Sequence, residues 1–225
     1  MLPHGLRVLY LHGFASSPAS RKARFFAGKL QELDIPIEIP DLAQGRFEHL
    51  TISGQLKLIE RLARHEPVLL IGSSLGGYLA ALYAARHPEV DRLILLAPAF
   101  GFHQLWLEEL GPQRFTEWKA RGSVPVFHYG EQREMPLGFQ FMEDAGRFEP
   151  FPDFPQPALI FHGNLDTSVP VEQSLAFARS HRNARLVRLE SRHELTDVLD
   201  SIWQECEGFV KEDLVAAKRR LAPSN

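Results

Sequence analysis

The sequence predicts an α/β fold built on a mostly parallel six-stranded sheet with helices on both faces. Short β-branched and leucine-rich runs recur along the chain, and amphipathic stretches of helical character separate them. Strands that alternate with helices pair in parallel, and their crossovers cover both faces of the sheet. The 225 residues, 44% of them hydrophobic, supply a sizeable core and argue against a disordered or fibrous chain.

The elements follow in order. The first strand is expected over Leu6 to Leu11 and the first helix over Ala19 to Leu33. Pro18, after Ser16 and Ser17, suits the first turn of that helix, because proline lacks an amide that would be unpaired there anyway. Further strands are expected at Ile35 to Ile39, Pro67 to Ile71, Arg92 to Leu96, Ala158 to Phe161 and Arg185 to Leu189. Helices are expected at Ile52 to Arg64, Leu75 to Arg86, Val171 to Ala178 and Ile202 to Arg220. The tail from Lys218, mixing charge with Pro223 and Ser224, is expected to fray. No internal repeat is present.

Gly101 to Pro157 breaks this rhythm with several prolines and a dense set of aromatics, among them Phe102, Trp106, Phe115, Trp118, Phe127, Tyr129, Phe139, Phe141 and Phe148. A stretch this long inside a compact α/β domain has structure and often a job. The expected organisation is one core domain from 1–100 and 158–225, with 101–157 inserted between the fourth and fifth strands as a small cap. The alternative is that these rings bury themselves against the sheet edge.

Bulk charge excludes some classes of partner. With 25 basic and 28 acidic residues, net −3, nothing sequence-wide favours nucleic acid or an anionic membrane, so a small molecule is the default partner. The single cysteine, Cys206, cannot form an intramolecular disulfide, and the N-terminal segment lacks the features of a secretory signal; a cytoplasmic location is expected. No run approaches the roughly 20 apolar residues that cross a bilayer.

The decisive segment is Val68-Leu-Leu-Ile-Gly-Ser-Ser-Leu-Gly-Gly-Tyr78, an apolar strand running into Gly72, Ser73, Ser74, Leu75 and Gly76 and then into a helix. GxSxG in that context puts a serine on a sharp strained turn with its hydroxyl above the sheet, and the flanking glycines remove side chains that would collide there. Ser74 is the candidate nucleophile. The start of the next helix adds positive potential, and the Leu75 amide is placed to donate to a developing oxyanion. The segment has no lysine followed by Ser or Thr, as a phosphate-binding loop requires, and the chain has no strand-borne GxGxxG.

Acyl transfer needs a second donor from the loop after an earlier strand. His12-Gly13-Phe14 fits, with the Phe14 amide preferred and Ala15 in reserve, while His12 is expected to be structural. In this chemistry the acid and base sit on loops after late strands, in the order Ser, Asp or Glu, His. His162-Gly-Asn-Leu-Asp-Thr-Ser-Val-Pro170 follows the fifth strand and offers Asp166; Glu190-Ser-Arg-His-Glu194 follows the sixth and offers His193. Neutral imidazole, with an ordinary pKa of about 6.5, can take the serine proton and return it to the leaving group, while the carboxylate fixes its tautomer. Glu190, Glu194, Asp197 and Asp153 are rival acids, Asp197 the strongest. The other histidines show no trustworthy metal-ligand spacing, so neither metal nor cofactor is expected. Phe14, Ser73, Leu75, Phe100 and some insertion aromatics are candidates to line an acyl pocket.

With Tyr10-Leu-His-Gly-Phe-Ala-Ser-Ser-Pro-Ala-Ser-Arg-Lys-Ala23 and Gly72-Ser-Ser-Leu-Gly-Gly-Tyr78 in view, the chain resembles the small bacterial esterases of the YqiA type, UPF0227-like members of the α/β-hydrolase superfamily. The resemblance implies an α/β-hydrolase fold lacking its first two antiparallel strands, with strand order second, first, third, fourth, fifth, sixth. It implies esterase activity on short to medium acyl esters, with Ser74, Asp166 and His193 as the triad. The 102–157 region and the Glu190-Ser-Arg-His193 turn depart from the family pattern. The expected function is cleavage of a small carboxylic ester or thioester through an acyl-enzyme. The alternatives are a serine peptidase or amide hydrolase, and a non-catalytic binding protein of the same fold.

Overall fold

The computed structural model describes the backbone of residues 7–220 and the side chains of residues 7–211. Along the chain run β1 (Arg7–Leu11), α1 (Arg21–Gln31), β2 (Ile37–Glu38), α2 (Ile52–Ala63), β3 (Val68–Ser73), α3 (Leu75–Ala84) and β4 (Val90–Leu96). Then come α4 (Phe102–Arg121), β5 (Ser123–His128), β6 (Arg133–Gly138) and α5 (Gln140–Ala145), followed by β7 (Ala158–Gly163), α6 (Val171–Ser180), β8 (Ala184–Leu189) and α7 (Leu199–Arg220). Six strands form one parallel sheet in the order β2-β1-β3-β4-β7-β8. That is the order implied by the family resemblance, and the fold is that of an α/β hydrolase.

The central strands read as apolar runs because both of their faces are covered. The two-residue period divides them between two cores. Leu9, Leu11, Leu70, Leu93, Leu95 and Ile160 pack under α2, α3 and the 101–157 segment. Val8, Tyr10, Leu69, Ile71, Ile94 and Phe161 pack against α1 and α7, where Phe26, Ile202 and Trp203 meet them. Every residue of α3 is buried, as a helix at the centre of a domain requires.

Several boundaries differ from expectation. Pro18 lies before α1, not in its first turn: the Ser20 amide donates to the Ser17 carbonyl, making a turn with proline at its second position, and Ser20 caps the helix by accepting the Ala23 amide at 3.3 Å. The second strand shrinks to Ile37–Glu38 at the sheet edge. The closing helix starts earlier, at Leu199, and runs to Arg220, so the expected fraying from Lys218 otherwise falls on 221–225, outside the described residues.

The insertion holds more regular structure than its sequence suggests. α4 is broken at Gly111, with φ 67°, ahead of Pro112, and β5 and β6 form an antiparallel hairpin with Pro125 opposite Pro136. Two residues without amide donors cannot form a hydrogen-bonded pair, so they meet at a non-hydrogen-bonded site, where the ladder loses nothing. The rings divide: Phe102, Trp118, Phe139 and Phe141 are buried, while Phe127 and Tyr129 are exposed. No described helix is long and apolar enough to cross a membrane.

Candidate active site

The turn between β3 and α3 holds Ser74 at φ 53°, ψ −119°, a conformation that L-residues rarely adopt. The surroundings over-determine it. The Ser74 amide donates to the Leu96 carbonyl at 2.9 Å, and the Ser74 carbonyl accepts the amides of Gly77, Tyr78 and Ala99. A Cβ on Gly72 would lie 2.3 Å from the Gly76 carbonyl oxygen, and one on Gly76 only 2.0 Å from that of Leu11. Both positions therefore exclude a side chain, and the strand, turn and helix close on each other around the serine.

The loop after β7 carries Asp166, and the loop after β8 carries His193. Backbone hydrogen bonds tie these loops together, from the Asn164 amide to the Leu189 carbonyl at 2.8 Å and from Leu165 to Ser191 at 3.0 Å. The structure thereby brings the three expected side chains into one line: His193 Nε2 lies 3.0 Å from Ser74 Oγ, and His193 Nδ1 lies 2.7 Å from Asp166 Oδ2. Three of the four rival carboxylates are engaged elsewhere, and the fourth, Glu194, is exposed at the cavity and makes neither a hydrogen bond nor an ion pair with His193 among the described residues. Asp197 accepts from the Ser191 hydroxyl, Glu190 from Asn164, and Asp153 faces His181.

The Asp166 side chain has no solvent exposure. Its Oδ1 accepts the Ser168 and Val169 amides, each at 2.9 Å. Burial pushes the carboxyl up, but hydrogen bonds from His162 and His193, the charge of His193 and the Val169 amide outweigh it and hold the group well below the usual carboxylate range. An ionised carboxylate only accepts, so the proton of neutral His193 sits on Nδ1 and leaves Nε2 free to accept from the Ser74 hydroxyl.

Sequence reasoning missed His162. This fully buried imidazole lies with Nε2 3.2 Å from Asp166 Oδ2 and 2.9 Å from the Val169 carbonyl, and with Nδ1 2.7 Å from Ser174 Oγ. The available signal was its place at the end of β7, four residues ahead of the acid.

The other expected site residues fall as follows. A Cβ at Gly13 would stand 3.4 Å from that of Ser74, so the loop after β1 lies against the serine, and neither the Phe14 nor the Leu75 amide donates a hydrogen bond among the described residues. The carbonyl of Ala15, the reserve donor, accepts from Tyr129 at the hairpin tip at 2.7 Å. His12 is structural: its Nε2 accepts the Leu42 amide, its Nδ1 donates to the Gly13 carbonyl, and burial lowers its pKa. Phe14, Ser73 and Leu75 line a cavity of about 550 Å³ that opens over Ser74 and His193. Phe100 does not. It is fully buried and stacked on Phe177 at 4.4 Å, because Gly101 at φ 69° turns the chain there, and Ala99 and Phe102 line the cavity in its place.

Among the described residues, one cluster has metal-ligand character: His65, His87 and Glu89, whose ligand atoms lie within 4.8 Å of one another. It shares no residue with the cavity.

Comparison with known proteins agrees with this architecture. Monoacylglycerol lipase abhd6-B of Xenopus laevis is 26% identical over 207 residues, covering 87% of this chain and 57% of that protein, so the chain spans little more than half of this relative's length. Est1E from Butyrivibrio proteoclasticus with bound ferulic acid superposes with a TM-score of 0.78 at 20% identity, covering 96% of this chain and 94% of the other. Mouse alpha/beta hydrolase domain-containing protein 10 gives 0.77 at 18% identity, with 94% and 92% covered. At such identities these structures speak for the fold. The sequence profile of the uncharacterised protein family UPF0227 matches residues 7–209, nearly the whole described chain, and the protein belongs to that family.

Proposed function

We propose that the protein is a serine hydrolase of carboxylic esters or thioesters, with Ser74 as nucleophile, His193 as base and Asp166 as the acid that orients it. The reading rests above all on the unbroken line of contacts from Ser74 Oγ through His193 to Asp166, at 3.0 Å and 2.7 Å. In the first step Ser74 Oγ attacks the carbonyl carbon while His193 Nε2 takes its proton. The collapsing intermediate expels the alcohol or thiol, which receives that proton, and leaves an acyl-Ser74. Water, deprotonated by His193, then releases the acid and restores the serine. Asp166 stays ionised throughout and stabilises the imidazolium.

The Phe14 and Leu75 amides are the proposed oxyanion donors, which matches their lack of other acceptors among the described residues and the helix N-terminus beneath Leu75. Residues 101–157 act as a cap over the cavity: Phe102, Leu105, Trp106, Val126 and Phe127 supply much of its apolar wall. The mechanism draws on no metal or cofactor. A relative named as a monoacylglycerol lipase is in keeping with ester hydrolysis.

A panel of p-nitrophenyl esters, coenzyme A thioesters and aminoacyl p-nitroanilides tests the reading on the wild type and Ser74→Ala. Esters or thioesters are expected to turn over in the wild type only, with an unchanged circular dichroism spectrum in the variant. Wild-type rates in Ser74→Ala, or turnover confined to the anilides, would overturn it.

A further inference from the structure

The cavity over Ser74 has a positive corner that acyl transfer does not use. It is built at the start of α1, where Ser20, Arg21 and Lys22 all line the same space as Ser74 and His193. The first turn of α1 holds no acidic residue, and the Arg21 and Lys22 amides donate no hydrogen bond among the described residues. Lys22 lines the cavity and is half-buried, and its side chain makes neither a hydrogen bond nor an ion pair among the described residues. Glu194 and Asp166 act on it only through space; Arg21 and Glu194 are exposed, and Glu109 of α4 also lines the cavity.

A charge partly withdrawn from water is stabilised by an opposite charge beside it. Here burial pushes the Lys22 ammonium down to about 8, and the two carboxylates oppose that only in part. An ammonium with no hydrogen-bonded or ion-paired partner among the described residues, helix-start amides that donate to none of them and an opening beside the serine together describe the seat of an anion. Elsewhere in the lining, Phe14 packs edge-on to Trp106 at 5.0 Å and nearly flat on Phe141 at 5.4 Å, forming an apolar wall.

We infer that the substrate carries a carboxylate or phosphate group, held by Lys22 and the first amides of α1, while its apolar part lies against the Phe14–Trp106 wall. The word substrate rests on the hydrolase reading; the anion seat does not.

Two measurements keep these apart. Glutarate and inorganic phosphate are titrated calorimetrically into the wild type, Lys22→Gln and Lys22→Arg at low salt. Binding is expected in the wild type and in Lys22→Arg and on the order of tenfold weaker in Lys22→Gln, the size of one charge-assisted hydrogen bond. A response to glutarate alone assigns a carboxylate, and one to phosphate alone a phosphate. Equal binding by the wild type and Lys22→Gln, or none by any form, overturns the seat and leaves Lys22 as a partner for Glu194.

The kinetic arm compares matched esters: mono-p-nitrophenyl glutarate with p-nitrophenyl valerate, and 4-acetoxybenzoate with its methyl ester. In at least one pair the wild type should favour the anionic member in kcat/KM. That preference should fall about tenfold in Lys22→Gln and return in Lys22→Arg. Preference for the neutral member of both pairs overturns the inference. If no ester is turned over while anion binding still depends on Lys22, the hydrolase reading fails and the seat stands.

Discussion

His162 and Asp166, four residues apart, touch: the imidazole Nε2 stands 3.2 Å from Oδ2, the same carboxylate oxygen that meets His193 at 2.7 Å. His162 also holds the Val169 carbonyl and Ser174, so it ties the acid loop to α6.

Replacing His162 by Gln should therefore lower kcat by about tenfold with KM little changed, since the acid loses a support and not the substrate a contact. Leaving Ser174 and the Val169 carbonyl without their partner should cost roughly 1–3 kcal/mol in urea unfolding. A variant with wild-type kcat and stability would remove His162 from the site.

Asp166→Asn should cut kcat by about 10⁴-fold, because the amide favours the wrong imidazole tautomer. The carboxyl is held below its unfolded value of about 3.9, so its stabilising contribution is fully present above that pH and is lost as pH falls through the lower, folded value. The stability gap between wild type and variant should accordingly be constant near neutrality and narrow below about pH 4. Thermal unfolding of both from pH 7 to pH 3 measures it, and a gap that widens in acid would contradict the account.

The elbow makes a steric prediction. Gly76→Ala would force a methyl to within 2.0 Å of the Leu11 carbonyl oxygen, so the variant should lose at least about 3 kcal/mol or fail to fold. Gly208→Ala in α7 meets nothing within 4 Å and should stabilise by about 0.5–1 kcal/mol through helix propensity. Urea midpoints of the two variants check both signs.

Trp106 joins the insertion to Phe14 and lines the cavity. Its replacement by Ala should raise KM several-fold for hexanoyl and octanoyl esters while leaving the acetyl ester nearly unaffected, as removal of apolar contact with the distal chain predicts. Equal effects across chain lengths would argue against that wall.

The parallel core was legible because strand and helix periods are local, and the turn at Ser74 because Gly72 and Gly76 record a close approach in the sequence itself. What escaped depends on distant partners. His162 reads as an ordinary strand-end histidine until α6 brings Ser174 beneath it. Phe100 looks like a pocket residue until Gly101 turns the chain and sends it against Phe177. The β5–β6 hairpin was hidden by Pro125 and Pro136, which argue against strands singly and are tolerated only because they face each other. Lys22 stood in plain view in the motif after β1, but its isolation is a property of packing.

The central claim is that the Ser74 hydroxyl is made nucleophilic by His193 and Asp166. Stoichiometric labelling with a fluorophosphonate, located by mass spectrometry, tests it most directly in the wild type, Ser74→Ala and His193→Ala. The account predicts one adduct on Ser74 in the wild type, none in Ser74→Ala and labelling slowed by several orders of magnitude in His193→Ala. An unlabelled wild type, or an adduct on another residue that survives in Ser74→Ala, would contradict it.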